Sequence, residues 1–253
     1  MGSNPTLSAT RIPKYLFVKP IIKVGLRFRR NWILSMRVAP KVRPLLLLGD
    51  GTSAVEALEI AEAVGDFSPL GFVNSLTRPD PGATIEGLPV FWVDDLPFGP
   101  ADCEVVCAIV TTQRRSFIDL MRSRDYPFAS LVHPFSSVSR RAHVGSGCIV
   151  NAGAVIASNA VLGDYTLVKR GALIGHDDRI GKYCTIGPGA NIAGNVEVGD
   201  GAFIAQGAVI RERIKIGNGA VVGAGAVVLQ DVNANDMVTG IPAKITRSGV
   251  NGH

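Results

Sequence analysis

The clearest pattern in the chain is an aliphatic residue that recurs every six positions through the C-terminal half. Sixteen consecutive positions keep this phase without a break. They are Val138, Val144, Val150, Ile156, Leu162, Val168, Ile174, Ile180, Ile186, Ile192, Val198, Ile204, Ile210, Ile216, Val222 and Val228. A small residue usually stands four positions after each of them, and glycine is frequent directly after. A fixed period of this kind marks a repeat architecture and is interpreted before local propensities.

Each hexapeptide is interpreted as a short strand followed by a tight corner. The aliphatic side chain points into the interior, and the small residue fits near the corner, where space is restricted. Three hexapeptides form one triangular coil of about 18 residues, and stacked coils bury one another and share backbone hydrogen bonds. The pattern therefore predicts a left-handed parallel β-helix over residues 132–247, followed by a short tail, 248–253.

The segment 44–131 has a different pattern, in which apolar strands alternate with helical stretches. Leu45–Leu48 predicts a buried parallel strand, Gly49–Ser53 a glycine-rich turn, and Ala54–Val64 a helix. Further elements are predicted at Leu70–Val73 and Val105–Val110 (strands) and at Phe117–Arg124 (helix). A strand, a glycine-rich turn and a helix in this order present backbone N–H groups to a phosphate. The segment is therefore predicted to be an α/β, Rossmann-like domain.

The glycine-rich turn departs from the dinucleotide fingerprint. Gly49-Asp50-Gly51 is followed by Ala54 instead of a third glycine, and Asn74 lies where a ribose-binding acid is expected. Three interpretations stay open at this stage. They are the binding of a nucleotide sugar, which we favour, purely structural packing, and the binding of a redox dinucleotide.

One hexapeptide breaks the rule of the repeat and carries the candidate chemistry. Asp178 occupies the position of the small residue, with His176 and Asp177 beside it. Such residues pack poorly, so the corner is predicted to be a solvated, functional edge. Acyl transfer from a thioester needs a base, and histidine has a pKa near working pH. We assign His176 as the general base and Asp177 as the carboxylate that holds its tautomer, with Asp178 as an alternative partner.

One coil after His176, the repeat places Gly194. Its backbone N–H is predicted to be accessible and to donate to the oxyanion of the tetrahedral intermediate. The alternative for His176 is a histidine that only caps a turn, and for His133 and His143 a structural role is favoured. The sequence does not supply the three zinc-binding histidines of a gamma-class carbonic anhydrase.

Composition and charge narrow the function classes. The four cysteines form no CxxC pair and no cluster with zinc-site spacing, which predicts free thiols, a reducing cytoplasm and no metal. No apolar run reaches the roughly 18 residues that cross a bilayer. Residues 1–43 hold ten of the 26 basic residues and no acid, so the net charge of +5 belongs to this leader. The remainder is acidic on balance, and nucleic-acid binding by it is not indicated.

The basic leader, 1–43, has a pattern of its own. A helix over 21–37 places five apolar residues on one stripe, namely Ile21, Val24, Phe28, Trp32 and Met36. A basic amphipathic helix with aromatic residues can lie on an anionic membrane surface. Residues 13–38 are therefore predicted to make peripheral contact with the inner face of a membrane. A helix that docks on the protein or on a partner, and a disordered or cleaved targeting leader, are the alternatives.

On these motifs, the sequence resembles the bacterial nucleotide-sugar and sialic acid acetyltransferases that join a small Rossmann-like domain to a left-handed β-helix. The resemblance covers residues 44–247. Besides the hexapeptides, it rests on Leu45–Ser53, Gly71-Phe72-Val73, His133-Pro134, Gly175-His176-Asp177 and Gly240-Ile241-Pro242-Ala243-Lys244.

The resemblance implies a homotrimer with active sites between neighbouring β-helices and acetyl-CoA as cosubstrate. It places the pantetheine near Ala205, Gln206 and Ala224, and the nucleotide end of CoA near Pro242, Ala243 and Lys244. It places the nucleotide of the sugar at Gly49, Gly51, Thr52, Ser53 and Asn74.

Three residues depart from the family pattern. Thr185 replaces a second histidine, Lys169 replaces an asparagine, and Asn74 replaces an acid. The first two bear on substrate contacts, for which Lys169 is a candidate, and the third bears on the identity of the nucleotide.

Together these features predict a cytoplasmic, acetyl-CoA-dependent acetyltransferase. It acts by direct attack of an amino group, or a hydroxyl group, of a nucleotide-linked sugar. A sialic acid O-acetyltransferase and a non-catalytic hexapeptide-repeat scaffold in a glycan pathway are the alternatives.

Overall fold

A computed structural model describes residues 42–111 and 113–252 of the chain. Within these ranges a sheet with two helices precedes a solenoid of short strands. Nearly all of the basic leader, including the predicted membrane-contact segment 13–38, lies outside the described residues. Among the described residues, no helix has both the length and the apolar character needed to span a bilayer.

The N-terminal part is built around a five-stranded sheet. Its elements are β1 (Arg43–Leu48), α1 (Thr52–Val64), β2 (Phe67–Asn74), β3 (Thr84–Ile85), β4 (Leu88–Trp92), a 3₁₀ turn (Val93–Asp95), β5 (Glu104–Cys107) and α2 (Gln113–Ser123). The strand order is β3-β4-β2-β1-β5, with β3 antiparallel and the other four parallel. The side chains of Leu45 and Leu47 pack on one side of the sheet and those of Leu46 and Leu48 on the other. Burial on both faces explains the continuous apolar run of β1.

The predicted elements of this part are present, with shifted ends. Helix α1 begins two residues before the predicted Ala54 and ends at Val64, as predicted. The left-handed backbone of the next residue, Gly65 (φ 77°), lets its N–H donate to the carbonyl of Ala61. Helix α2 begins at Gln113, four residues before the prediction. Strand β2 is longer than predicted, β5 is shorter, and the hairpin β3–β4 was not predicted.

The solenoid consists of two-residue strands separated by four-residue corners. The first two coils contain β6 (Leu131–Val132), β7 (Ser137–Val138), β8 (His143–Val144), β9 (Ile149–Val150), β10 (Val155–Ile156) and β11 (Val161–Leu162). The next two contain β12 (Leu167–Val168), β13 (Leu173–Ile174), β14 (Arg179–Ile180), β15 (Thr185–Ile186), β16 (Asn191–Ile192) and β17 (Glu197–Val198). The last contain β18 (Phe203–Ile204), β19 (Val209–Ile210), β20 (Lys215–Ile216), β21 (Val221–Val222) and β22 (Val227–Val228), followed by β23 (Asp236–Thr239) and β24 (Lys244–Ser248).

Every one of the sixteen aliphatic positions is the second residue of a two-residue strand. Strands one coil apart pair in parallel along each face, as in Ile156 with Ile174 and Ile174 with Ile192. Their side chains form one continuous core along the axis. Burying each of them contributes roughly 1.5–3 kcal/mol, so the stability is spread over many equivalent positions. The predicted hexapeptide-repeat parallel β-helix is confirmed.

The stacked strands form three faces that differ in what they present outward. Face 1 contains β6, β9, β12, β15, β18 and β21, face 2 contains β7, β10, β13, β16, β19 and β22, and face 3 contains β8, β11, β14, β17 and β20. Face 1 packs against the N-terminal part, because Leu131, Ile149 and Leu167 share a core with α1. Face 2 exposes Val155, Leu173 and Val209. Face 3 presents Arg179, Glu197 and Lys215.

A buried arginine connects the N-terminal part to face 1. The side chain of Arg114, in α2, is only 4% exposed. Its guanidinium donates to Thr185 Oγ1 (3.0 Å) and to the carbonyls of Tyr183, Cys184 (3.3 Å) and Ile109 (3.2 Å). All four acceptors are neutral oxygen atoms. Thr185, which stands where the resemblance expected a second histidine, is therefore used to hold α2 on the β-helix.

Candidate active site

The candidate base lies on the corner between faces 2 and 3. This corner joins Ile174 to Arg179. Asp177 has a left-handed backbone (φ 61°), and Asn159 and Asn195, one coil below and above, have the same conformation (φ 62°). Asp and Asn tolerate this conformation better than other non-glycine residues, which explains why they occupy these three stacked positions.

The side chains of this corner orient the imidazole of His176. Its Nδ1 lies 2.8 Å from Asp177 Oδ2, and the Asn159 amide donates to Asp177 Oδ1 at 2.9 Å. These hydrogen bonds, first from His176 and then from Asn159, hold the pKa of Asp177 below its usual range. Because an ionised carboxylate only accepts hydrogen bonds, Nδ1 carries the proton and Nε2 keeps its lone pair. The His176 side chain is 63% exposed, so Nε2 is accessible to a reactant.

Gly194 lies directly against the imidazole, one coil later. A Cβ atom built on Gly194 would come within 2.6 Å of His176 Nε2 and 2.7 Å of Cε1. The Gly194 carbonyl accepts from Arg213 at 3.2 Å, whereas its N–H has no hydrogen-bond partner among the described residues. Gly194 therefore lies against Nε2 of the candidate base, and its backbone N–H is free within the described ranges.

Asp178 is not at a solvated edge, and the expectation of a wet corner is wrong for this residue. Its side chain is 0% exposed. Oδ2 accepts the N–H of Gly175 and Oδ1 accepts the N–H of Val196, both at 2.8 Å. Burial raises the pKa of Asp178 to about 6, although the two amide hydrogen bonds oppose the shift. The side chain points inward like those of Ala160 and other residues at this position of the repeat, so of the two aspartates Asp177 is the one hydrogen-bonded to the imidazole.

The glycine-rich turn lines a separate pocket of about 340 Å³, at the carboxyl ends of β1, β2 and β5. Gly49 needs its left-handed backbone (φ 111°), and a Cβ there would lie 2.9 Å from Ile109. Gly51 is the N-cap of α1 and gives the helix no side-chain cap. The amides of Thr52 and Ser53, which also line the pocket, have no hydrogen-bond partner in the described ranges. An uncapped helix N-terminus with open amides favours an anionic group.

Two further substrate candidates have partners within the protein. The Asn74 amide donates to Asp50, and its Oδ1 accepts from the backbone of Leu76 (2.8 Å) and Thr77 (3.2 Å), so Asn74 shapes the pocket wall. Lys169 does not line this pocket. Its ammonium pairs with Glu56 of α1 at 2.6 Å, which links the β-helix to the N-terminal part.

The candidates for CoA binding lie along the other edge of face 2. Ala205, Gln206 and Ala224 occupy the corner between faces 1 and 2, where Gln206 and Ala224 are exposed and Ala205 is buried. The C-terminal segment reaches the end of face 2, because the Ala243 amide donates to Val227 at 2.8 Å. Pro242 and Lys244 are exposed beside it. Within one chain these residues and His176 lie on different corners and are not brought together.

The sequence analysis missed Asn159 and Arg114. Asn159 stands 18 residues before Asp177, so the one-coil spacing that identified Gly194 also identifies Asn159 as a neighbour of the Asp177 carboxylate. No pattern in the sequence indicates that the Arg114 guanidinium is buried, because arginine is among the residues least often buried.

Comparisons with known proteins agree with this architecture. The family model described as bacterial transferase hexapeptide (six repeats) matches residues 179–212. The acetyltransferase domain of PglB from Neisseria gonorrhoeae FA1090, solved with acetyl coenzyme A, is 30% identical, with a TM-score of 0.75 over 80% of this chain and 98% of its own. No curated protein sequence gives a significant match.

Two other solved structures are similar over a comparable length. One is a histidine-to-asparagine variant of perosamine N-acetyltransferase from Caulobacter crescentus, in complex with CoA and GDP-perosamine. It is 28% identical, with a TM-score of 0.73 over 81% of this chain and 97% of its own. The other is WeeI from Acinetobacter baumannii AYE, 27% identical, with a TM-score of 0.73 over 79% of this chain and 98% of its own. By its repeat and by its identity to the PglB domain over nearly the whole of that domain, the chain belongs to the family of hexapeptide-repeat nucleotide-sugar acetyltransferases.

Proposed function

We propose that this protein transfers the acetyl group of acetyl-CoA to an amino group of a nucleotide-linked sugar, by direct attack, with His176 as the general base. One observation carries the assignment of the base. The Nδ1 of His176 is engaged by Asp177 at 2.8 Å, while its Nε2 lies against Gly194 on an exposed corner. The ring therefore has a fixed tautomer and an accessible basic nitrogen, as a general base requires.

In the proposed reaction, His176 Nε2 takes a proton from the attacking amine as the new C–N bond forms. Asp177, itself held by Asn159, stabilises the resulting imidazolium. The free N–H of Gly194 donates to the oxygen that gains negative charge in the tetrahedral intermediate. When the C–S bond breaks, the imidazolium returns its proton to the thiolate of CoA. No covalent bond to the enzyme is formed.

The acceptor is proposed to be a nucleotide-linked amino sugar. The pocket at Gly49–Ser53 presents the open amides of Thr52 and Ser53 to a diphosphate. Residues 44–131 are accordingly proposed to be a Rossmann-like, nucleotide-sugar-binding domain, and residues 132–247 a left-handed β-helix acyltransferase domain. The relative solved with CoA and GDP-perosamine is an N-acetyltransferase, which supports the amine as the attacking group. Lys169, paired with Glu56, is proposed to support the pocket from outside.

Acetyl-CoA supplies the activated thioester, and its proposed site is the corner between faces 1 and 2. The exposed side chain of Gln206 has both a donor and an acceptor for the amides of the pantetheine, beside the small residues Ala205 and Ala224. The exposed ammonium of Lys244, after Pro242 and Ala243, matches the phosphates of the nucleotide end. Relatives solved with CoA and acetyl coenzyme A support this choice of cosubstrate.

The active form is proposed to be a homotrimer. Face 2 exposes a stripe of Val155, Leu173 and Val209, and no other part of the described chain covers these three side chains. His176 lies on one edge of this face and Gln206 on the other. Threefold packing through face 2 would bring the base of one chain to the CoA-binding edge of the next, which completes a site that a single chain leaves divided.

The experiment that tests this function measures release of the CoA thiol from acetyl-CoA, with amino sugars linked to UDP, dTDP, GDP or CMP as acceptors. We expect one acceptor to support turnover, and His176→Ala to lower kcat by about a hundredfold or more. His143→Ala is the matched control, because this histidine is exposed on face 3, and it should leave kcat unchanged. Turnover that survives in His176→Ala would remove the base assignment, and no turnover with any acceptor would contradict the proposed substrate class.

A further inference from the structure

A charged side chain stands in the core of the β-helix, directly behind the candidate base. Asp178 belongs to the inward column that also contains Ala142, Ala160 and Val196. Burying a carboxylate among such residues costs free energy unless its oxygen atoms accept hydrogen bonds. A residue that breaks the repeat at a cost in stability suggests a role in function.

The hydrogen bonds of Asp178 replace two backbone contacts of the repeat. After other aliphatic positions, the next amide donates to the aliphatic carbonyl one coil later, as Gly163 does to Ile180 (2.8 Å) and Gly181 to Val198 (2.7 Å). The amide of Gly175 donates instead to Asp178 Oδ2 at 2.8 Å. At the position of Val196 in earlier coils, the amides of Ala142 and Ala160 donate to the carbonyl three residues before them. The amide of Val196 donates instead to Asp178 Oδ1 at 2.8 Å.

Both amides flank the candidate catalytic groups. Gly175 directly precedes His176, and a Cβ on Gly175 would lie 2.6 Å from the nitrogen of Gly194. Gly175 thus packs directly against the peptide bond between Ala193 and Gly194, whose N–H is the proposed oxyanion donor. Val196 follows Gly194 by two residues. The Asp178 carboxylate therefore holds the backbone next to His176 with Oδ2 and the backbone near Gly194 with Oδ1.

We propose that Asp178 is a positioning residue for acetyl transfer, whose carboxylate sets the spacing between the imidazole of His176 and the amide of Gly194. The proposal rests on the function proposed above. Asp178 acts through the backbone, since its side chain is buried and touches no reactant. This role differs from that of Asp177, which holds the ring itself.

The test uses Asp178→Ala in the full chain, with the acceptor that the wild type uses. Alanine fits this column, as Ala160 shows one coil earlier, so the variant should fold. We expect kcat to fall by about ten- to a hundredfold, as a small misplacement of reacting groups does, while KM for acetyl-CoA stays within about twofold. The melting temperature should be unchanged or higher, because a buried charge has been removed. Asp178→Asn, which keeps one carbonyl acceptor, should restore part of the lost kcat.

Thr166→Ala is the matched control. Thr166 occupies the same position of another hexapeptide, is fully buried, and donates to the carbonyl of Gly181 at 2.8 Å. Its loss should lower the melting temperature without lowering kcat. Full kcat in Asp178→Ala, or losses of kcat and of melting temperature that match those of Thr166→Ala, would overturn the positioning role. If His176→Ala also keeps its activity, the proposed function fails as well, so the two failures are distinguishable.

Discussion

The contact between Gly194 and His176 predicts that a single added methyl group displaces the imidazole of the proposed base. In Gly194→Ala, the Cβ would lie 2.6 Å from Nε2, 2.7 Å from Cε1 and 2.9 Å from Cδ2. Ordinary carbon contacts lie at about 3.5–4.0 Å, so the ring must move by about 1 Å. A displacement of this size is expected to lower kcat by about a hundredfold. The backbone N–H of residue 194 is kept, so the variant tests the position of the base and not the loss of the donor.

The same variant should leave the stability nearly unchanged. The imidazole is the end of an exposed side chain and can swing away, and Gly194 has no positive φ that alanine would strain. Replacing glycine in a compatible conformation even stabilises by about 0.4–1 kcal/mol, since the unfolded chain loses freedom. Gly163→Ala is the contrasting control. Its Cβ would meet backbone atoms of Gly181 and Lys182 at 2.6 Å, which cannot swing away, so it should destabilise by about 1–3 kcal/mol.

Thiol release from acetyl-CoA gives kcat and KM for both variants, and thermal unfolding gives their stability. The expected result is a loss of kcat in Gly194→Ala at an unchanged melting temperature, with KM for acetyl-CoA little altered. If Gly194→Ala keeps kcat within about threefold, the ring does not need its observed position and the reasoning is refuted. The reasoning also fails if Gly194→Ala lowers the melting temperature as much as Gly163→Ala does.

Three further predictions concern the supports around the site. Arg114→Met should lower the free energy of unfolding by about 3 kcal/mol, because it leaves buried carbonyls without a donor. The matched change at an exposed arginine, Arg115→Met, should alter it by less than about 1 kcal/mol. Urea unfolding measures both free energies. Burial raises the pKa of Asp178 to about 6 in the folded state, so folding favours the protonated carboxyl. Its contribution to the free energy of unfolding is therefore fully present below about pH 4 and is lost as the pH rises through 6. The stability of Asp178→Ala relative to wild type should therefore rise by about 3 kcal/mol between pH 4 and 7.5, and a flat difference would contradict this. If face 2 forms the interface of the proposed trimer, Leu173→Arg should yield monomers in analytical ultracentrifugation, whereas Arg179→Ala on face 3 should leave the assembly as in the wild type.

The fold of the C-terminal half could be predicted because one rule repeats sixteen times and each repeat has the same local geometry. The role of each face was also encoded, in the residue that precedes the aliphatic one. On face 1 this residue is apolar at Ile149, Leu167 and Val221, whereas on face 3 it is charged at Arg179 and Glu197. On face 2 the same position is also apolar at Val155, Leu173 and Val209, so a period of 18 separates the charged face 3 from the two apolar faces and does not show which of those two the N-terminal part covers. The six-residue period alone does not separate the three faces.

The contacts between distant parts of the chain could not be predicted in this way. Arg114 meets the coil of Thr185 only after α2 has packed on face 1, and no local pattern specifies that packing. The same holds for Glu56 and Lys169, which are 113 residues apart in the chain. The family resemblance makes Lys169 a candidate substrate contact, and its pairing with Glu56 of α1 becomes visible only in the structure. Periodicity predicts what a residue faces within its own repeat, and it says nothing of partners outside the repeat.

The same limit applies to Asp178, for which the expectation of a solvated edge is wrong. Polarity suggested a solvated edge, but the side-chain direction in a repeat is set by the position, and this position points inward at Ala160 and Val196 alike. A polar residue at an inward position is therefore buried, and it persists only if the backbone satisfies it. Here the satisfying amides are those that flank His176 and Gly194. In a β-helix, a polar residue at an inward position that is usually small and apolar thus indicates a coil whose backbone is held by a side chain. In this protein the candidate catalytic groups lie on the outward side of that coil.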